Sequence, residues 1–199
     1  MDSEGTLRLG WWKGNEKIKG KRLKFNTKEK SNVDSKIFMA EDIYNTEDGI
    51  ILEGIIPLEG NDLFEMDFVD FLTEEGKNTI EKIKSNILQK MKLTGLFIEY
   101  ENEKGIVFLF DGRGVMRFGS IDSNGLGFKC HGHVTREMDF GKSARFRLLI
   151  KSSMVEIYLD DVLMQSYNLT KPATGKIGVI PGNKKDILGS IKVWDFDVR

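Results

Sequence analysis

The sequence has little cysteine and no long apolar run, and each shortage excludes a class of structure. Cys130 is the only cysteine among 199 residues, so no disulfide can form within the chain. No apolar run approaches the roughly 18 residues that a membrane-spanning helix needs. The acidic N-terminus has no apolar stretch of the kind found in secretory signal peptides. We therefore expect a cytoplasmic protein, or an excised or mature module of a secreted one, that does not enter a membrane.

Net charge is also nearly absent, which argues against partners recruited by a strong overall field. Thirty basic and 31 acidic residues leave a net charge of -1, so we expect neither nucleic acid nor an anionic membrane as a partner. Basic residues are nevertheless concentrated between Lys13 and Lys30, with eight Lys and Arg against two Glu. This segment reads either as a patch for anions or polysaccharides, or as an edge strand protected by lysines. Acidic residues return immediately afterwards, which favours the edge strand.

What the chain does contain is a series of short strands separated by polar turns. Hydrophobic residues make up 40% and charged residues 31%, an ordinary balance for one globular domain, predicted to span residues 1–199. In the last third, apolar residues alternate along residues 145–151, 154–159 and 162–167, with polar turns at Ser152-Ser153 and Asp160-Asp161. Such alternation predicts antiparallel hairpins. A closing strand is predicted from Ile187 to Val198.

The middle of the chain follows the same pattern, with one helical interruption. Strands are predicted at 95–100, 106–110, 115–118 and 128–134, with turn residues about every ten positions. Before them, Ile80, Ile83, Ile87 and Met91 recur at helical spacing. The expected fold is therefore all-β, a two-sheet antiparallel β-sandwich with one inserted α-helix around 75–92.

The hairpin from Ala144 to Leu163 resembles one found repeatedly in concanavalin A-like jelly rolls. A strand beginning Gly175-Lys176-Ile177-Gly178 and the closing strand Ile191–Val198 fit the same resemblance, which covers about the last 110 residues. Asp161 departs from it, because glycine is commoner at that turn position. The resemblance, to laminin-G-like, lectin-like and glycosidase-associated modules, implies two facing antiparallel sheets. It also implies carbohydrate recognition as an expectation.

A local string, Glu65-Met66-Asp67-Phe68-Val69-Asp70, resembles the catalytic strand of family 16 glycoside hydrolases. The resemblance implies Glu65 as nucleophile, Asp67 as the residue that tunes it, and Asp70 as general acid and base. In a strand Glu65 and Asp67 share a face, and Asp70 joins them only if a bulge shifts the phase. Asp70 also stands where that family has Glu. The alternative is an ordinary half-buried strand with a polar outer face.

Other polar and aromatic residues are candidates for binding rather than catalysis. Trp11 and Trp12 are adjacent, so at most one is expected in the core and the other exposed as a platform for a sugar ring. His131 and His133 alternate and would share a strand face, but two histidines are too few for a zinc site. No metal site or cofactor is therefore predicted, and structural calcium is left open because no motif indicates it. The predicted ligand-binding set is Trp12, Glu99, Arg117, His131 and His133.

Three functions follow from these patterns. The first is a noncatalytic carbohydrate-binding or interaction module with a glycan or polysaccharide as partner. The second is a small retaining glycoside hydrolase that uses Glu65 and Asp70 as its carboxyl pair. The third is a structural accessory domain of a larger protein.

Overall fold

The computed structural model is built from antiparallel strands in two sheets. It describes residues 9–32, 35–58, 94–122, 129–136, 139–182 and 185–197. The described strands are β1 (Lys19–Leu23), β2 (Thr27–Asn32), β3 (Ser35–Ala40), β4 (Ile50–Pro57), β5 (Thr94–Glu101), β6 (Lys104–Phe110), β7 (Val115–Asp122), β8 (Lys129–Thr135), β9 (Ser143–Lys151), β10 (Met154–Leu159), β11 (Val162–Asn168), β12 (Ile177–Pro181) and β13 (Lys192–Phe196).

The strands form one sheet of six and one of seven. The six-stranded sheet has the order β1-β13-β4-β9-β10-β11, and the seven-stranded sheet has the order β2-β3-β12-β5-β6-β7-β8. Every pairing between these strands is antiparallel. The two-sheet antiparallel sandwich predicted from the sequence is therefore confirmed. The helix predicted around 75–92 lies outside the described residues.

The main core lies between the sheets and follows from the alternation of apolar residues. Phe146, Leu148 and Ile150 of β9 point inward together and are fully buried. Phe108 and Phe110 of β6 face them from the seven-stranded sheet. Burial of such side chains stabilises the fold by about 1.5–3 kcal/mol each relative to exposure.

The seven-stranded sheet is also buried on its outer face, the face turned away from the six-stranded sheet. Phe97, Val107 and Leu109 lie on that face and have no exposed surface, and Ile37 and Ile180 belong to the same cluster. Strands β5 and β6 thus carry apolar residues on both faces, as strands buried on both sides do. This outer face is not an open binding surface over its central strands.

One strand prediction needs correction. The closing strand, expected from Ile187, begins at Lys192, because Lys185–Ser190 forms a 3-10 helix. Ile191 donates its backbone N–H to the carbonyl of Leu188 at 3.4 Å, which closes that helical turn before the strand begins. The apolar run alone could not separate the helical turn from the strand.

Candidate functional site

The residues predicted from the sequence fall in different parts of the structure. Glu65, Asp67 and Asp70 lie outside the described residues, so their catalytic role stays a prediction. Glu99 and Arg117 lie on the outer face of the seven-stranded sheet and are 2% and 5% exposed. Glu99 accepts a hydrogen bond from the Thr174 hydroxyl at 3.0 Å and forms an ion pair with Lys176 at 3.3 Å. As they lie, these two side chains offer little surface to a ligand.

The two histidines lie on β8, the edge strand of the seven-stranded sheet, and both are exposed. His133 is opposite Arg117 in the β7–β8 ladder. His131 shares a hydrogen bond with Ser120 at 3.1 Å between Nε2 and Oγ. The structure therefore brings Arg117 and the two histidines together near the β8 edge of the seven-stranded sheet. Among the described residues, no group of three acidic, histidine or cysteine residues could hold a metal ion.

Of the two adjacent tryptophans, one is buried and the other is exposed, although neither lies in a strand. Trp11 is 8% exposed and packs on the outer face of the six-stranded sheet, edge-on to Tyr158 at 5.4 Å between ring centroids. Trp12 is 73% exposed. The indole of Trp12 therefore belongs to the side of the six-stranded sheet. The predicted ligand-binding set is split between the two sides of the sandwich and does not form one surface.

Charged residues surround Trp11 on that outer face. The Arg147 guanidinium lies 4.7 Å from the centroid of the Trp11 ring and 2.6 Å from Glu53. The Trp11 indole N–H donates to Glu16 at 2.8 Å, and Lys19 contacts both Glu16 and Glu53 at 2.6 Å. These contacts hold the segment Leu9–Ile18 against the sheet.

A cleft that was not predicted opens at the β1 edge of the sandwich, and we refer to it as the edge cleft. Its volume is about 830 Å³. Its lining comes from β1 and the residues after it, from the segment before β4, and from the end of β13. The lining residues are Lys21, Arg22, Leu23, Lys24, Asp42, Ile43, Tyr44, Asn45, Asp48, Ile50, Asp195 and Phe196.

Hydrogen bonds fix the polar wall of the edge cleft. Asp195 accepts the backbone N–H of Lys21 at 2.5 Å, which ties β13 to β1. The Asn45 side-chain amide donates to Asp48 at 2.7 Å. Tyr44 is buried and donates its hydroxyl to the carbonyl of Lys24 at 2.9 Å. Arg22 and Asp42 are exposed at the same cleft.

Two glycines allow the β13 side chains to lie where they do. A Cβ at Gly20 would lie 2.4 Å from an Asp195 carboxylate oxygen, and a Cβ at Gly49 would lie 2.5 Å from the Phe196 ring. Gly49 also has φ +108°, which other residues rarely adopt. The position of these two β13 side chains thus depends on the close approach of the Gly20 backbone to Asp195 and of the Gly49 backbone to Phe196.

The tyrosine at the base of the cleft is neutral over the whole physiological range. Burial, with the nearby charge of Asp42, raises the pKa of Tyr44 to about 12. A smaller cleft of about 420 Å³ shares Lys21, Asp195 and Phe196 and extends the groove towards Lys19 and Asp197.

The residues of the edge cleft come from three distant parts of the chain, which is why sequence reasoning missed them. The sequence signal in this region is the basic segment from Lys13 to Lys30 followed by acidic residues, which predicts an edge strand, and β1 in this segment is an edge strand. The structure shows that both charge types converge on one cleft.

In the described part of the chain, no helix is long and apolar enough to span a membrane.

No family model matches the sequence, and no curated protein matches it significantly. Among solved structures, the chain is similar to the carbohydrate-binding module CBM66 of Bacillus subtilis, with 12% identity, 88% of each chain covered and a TM-score of 0.45. It is also similar to sheep galectin-11 in complex with glycerol, with 9% identity, 81% of this chain and 99% of that one covered, and a TM-score of 0.46. A β-glucanase of Bacillus licheniformis shares 13% identity over 82% of this chain and 59% of that one, with a TM-score of 0.41.

Proposed function

We propose that this chain is a noncatalytic module that binds a neutral, hydroxyl-rich ligand, a glycan, in the edge cleft. The observation that carries the proposal is the charge balance of the lining. Lys21, Arg22 and Lys24 stand against three carboxylates, Asp42, Asp48 and Asp195. A site for a phosphate or sulfate group would instead carry a surplus of positive charge.

Sugar hydroxyls suit such a lining because each hydroxyl both donates and accepts hydrogen bonds. Asp42 and the remaining lone pairs of Asp48 and Asp195 can accept, while the ammonium and guanidinium groups can donate. Phe196 and Ile43 add apolar surface for the C–H faces of a sugar ring. The cleft volume also falls within the range of about 300–1,000 Å³ that is usual for small-molecule sites.

The carboxylates of the edge cleft favour binding over hydrolysis. Asp195 is already engaged by the Lys21 backbone, and Asp48 by Asn45, so both maintain the shape of the wall. A retaining glycosidase needs two carboxyl groups free to act as nucleophile and acid. The hydrolase alternative rests on Glu65 and Asp70, which lie outside the described residues, and no contact of the described residues supports it.

The test is a glycan array followed by calorimetric titration of the best neutral oligosaccharide. We expect Arg22→Gln and Asp42→Asn each to weaken binding about tenfold or more, because each removes a charged hydrogen-bonding group. Lys151→Gln and Glu41→Gln are matched controls, since both residues are exposed and neither lines the cleft. The proposal fails if no neutral glycan binds, or if the cleft variants bind as well as the controls.

A further inference from the structure

Trp12 is an exposed aromatic side chain whose ring packs against its own chain at Gly14. Its six-membered ring lies against the backbone of Gly14, so close that a Cβ there would be 2.4 Å from the ring. The backbone turns between these residues, where Asn15 donates its N–H to the Trp12 carbonyl at 2.9 Å. The absence of a side chain at Gly14 leaves the space that the Trp12 ring occupies.

The segment beneath Trp12 is anchored on several sides. Gly10 forms an antiparallel bridge with Val162, and Trp11 donates its backbone N–H to the Asp161 carbonyl at 2.7 Å. The Trp11 ring is buried between Tyr158 and Arg147. Because the base is fixed, a ligand that stacks on Trp12 need not immobilise it, which lowers the entropic cost of binding.

We propose that the exposed face of Trp12 is a second saccharide contact, which stacks on the C–H face of one pyranose ring of a bound oligosaccharide. This inference rests on the glycan-binding function proposed above and adds a subsite to it. The 3-10 helix Lys13–Ile18 leads from Trp12 to Lys19, which lines the smaller cleft. A 3-10 helix advances about 2 Å per residue, so Trp12 and Lys19, which are seven residues apart, lie about 14 Å apart along it.

The size and setting of the patch fit a single sugar ring better than a protein partner. A stable protein interface buries about 800 Å² on each partner. The large apolar side chains exposed in the described residues are only Leu9, Trp12, Ile43, Ile55 and Met154. Trp12 is followed by Lys13, Glu16 and Lys17, all exposed and polar. One apolar ring rimmed by polar groups suits a ligand with an apolar face and hydroxyl edges.

The test compares two variants of the platform in the full chain, using the neutral oligosaccharide that the wild-type chain binds best. Trp12→Ala removes the ring, and we expect it to weaken binding about tenfold. Gly14→Ala keeps the ring but displaces it, and we expect a loss in the same direction. Its Cβ meets the far end of a side chain rather than backbone, so the variant should fold normally. Met154→Ala, another exposed apolar truncation, is the control and should bind as the wild type does.

Tryptophan fluorescence gives a second, independent readout, because Trp12 is far more exposed than Trp11 or Trp194. Saturating oligosaccharide should protect the wild-type chain from iodide quenching and should protect Trp12→Ala much less. If Trp12→Ala and Gly14→Ala bind like Met154→Ala while Arg22→Gln loses affinity, the platform is overturned and the edge cleft stands. If the wild-type chain binds no saccharide, both proposals are overturned.

Discussion

Arg147 is the most heavily engaged charged side chain on the outer face of the six-stranded sheet. It is 7% exposed, lies over the Trp11 ring, and pairs with Glu53 at 2.6 Å and Glu16 at 3.3 Å. It also contacts Asp161. A charge withdrawn from water to this extent is tolerated only because carboxylates surround it. Arg147 therefore joins the N-terminal segment, β4 and the β10–β11 turn.

Replacing Arg147 should cost far more stability than replacing its exposed neighbour Arg145. We expect Arg147→Ala to lower the free energy of unfolding by about 3 kcal/mol, because Glu53 stays partly buried with one partner fewer. Arg145→Ala breaks an exposed ion pair with Asp161 and should cost less than about 1 kcal/mol. Urea unfolding of both variants measures the difference, and equal losses would show that Arg147 contributes no more than a surface ion pair.

Glu16 makes the anchoring of the N-terminal segment sensitive to acid. Partial burial opposes its ionisation, but hydrogen bonds from Lys19 and Trp11 and the charges of Lys19 and Arg147 outweigh this and lower the pKa of Glu16. A lowered pKa in the folded state contributes stability above the ordinary value of 4.5, and that contribution is lost as the pH falls through the folded value.

The free energy of unfolding should therefore decline as the pH falls below about 4.5, and less steeply in Glu16→Gln. Urea midpoints measured between about pH 6 and about pH 3 provide the comparison. Identical slopes in the two proteins would contradict the role assigned to Glu16. Arg145→Ala serves as the control, because it leaves all the contacts of Glu16 intact and should retain the wild-type slope.

At the scale of the element, the β10–β11 hairpin shows how the chain makes a tight turn without glycine. Asp160 and Asp161 both have positive φ, +43° and +67°, as a two-residue hairpin loop of this kind requires. Asp160 accepts the backbone N–H of Arg145 at 2.8 Å, and Asp161 pairs with the Arg145 guanidinium at 2.6 Å. Aspartate adopts this conformation more readily than most residues. The departure from glycine at Asp161 thus brings ion pairs that glycine could not form.

Gly175, in contrast, is required by its surroundings. It has φ +86°, and a Cβ would lie 2.1 Å from the carbonyl oxygen of Tyr44. Its own carbonyl accepts the N–H of Tyr44 at 3.0 Å, which positions the segment before β4 and hence one wall of the edge cleft. Any side chain at this position must push that wall away.

Gly175→Ala should lower the free energy of unfolding by about 2 kcal/mol or more, and it should also weaken the glycan binding proposed above because Tyr44 moves. Gly189→Ala is the matched control, since a Cβ there meets nothing within 4 Å and its φ is not positive. We expect the control to change stability by less than about 0.5 kcal/mol. Thermal and urea unfolding measure both variants, and a tolerant Gly175 would refute the close approach.

At the scale of the whole molecule, the sequence predicted what depends on neighbours along the chain. Strands β9, β10 and β11 follow from local alternation and turn residues, and the structure confirms all three. Periodicity fixes which side chains share a face, and it needs no knowledge of the rest of the fold.

What the sequence could not predict depends on long-range assembly. Glu99 and Arg117 alternate with apolar residues, but only the structure shows that the outer face they share is itself buried. The edge cleft brings together Arg22, Asp42 and Asp195, and most of the chain lies between Asp42 and Asp195. No periodic pattern relates such residues, because the β1–β13 pairing places Arg22 opposite Trp194, beside Asp195, and the segment before β4 adds Asp42.

At the other side of the sandwich, the side chain of Arg136, which follows β8, reaches across to β11. Its guanidinium donates hydrogen bonds to the carbonyls of Leu163 at 3.1 Å and Met164 at 2.8 Å. Both strands are edges of their sheets, and uncovered edge groups invite pairing with another chain.

We expect Arg136→Ala to lower the free energy of unfolding by about 1–3 kcal/mol and to increase self-association at high concentration. Lys171→Ala, which breaks an exposed ion pair with Glu101, should do neither. Urea unfolding with sedimentation velocity tests both, and an Arg136 variant as stable and monomeric as the Lys171 variant would show that the sandwich closes without this bond.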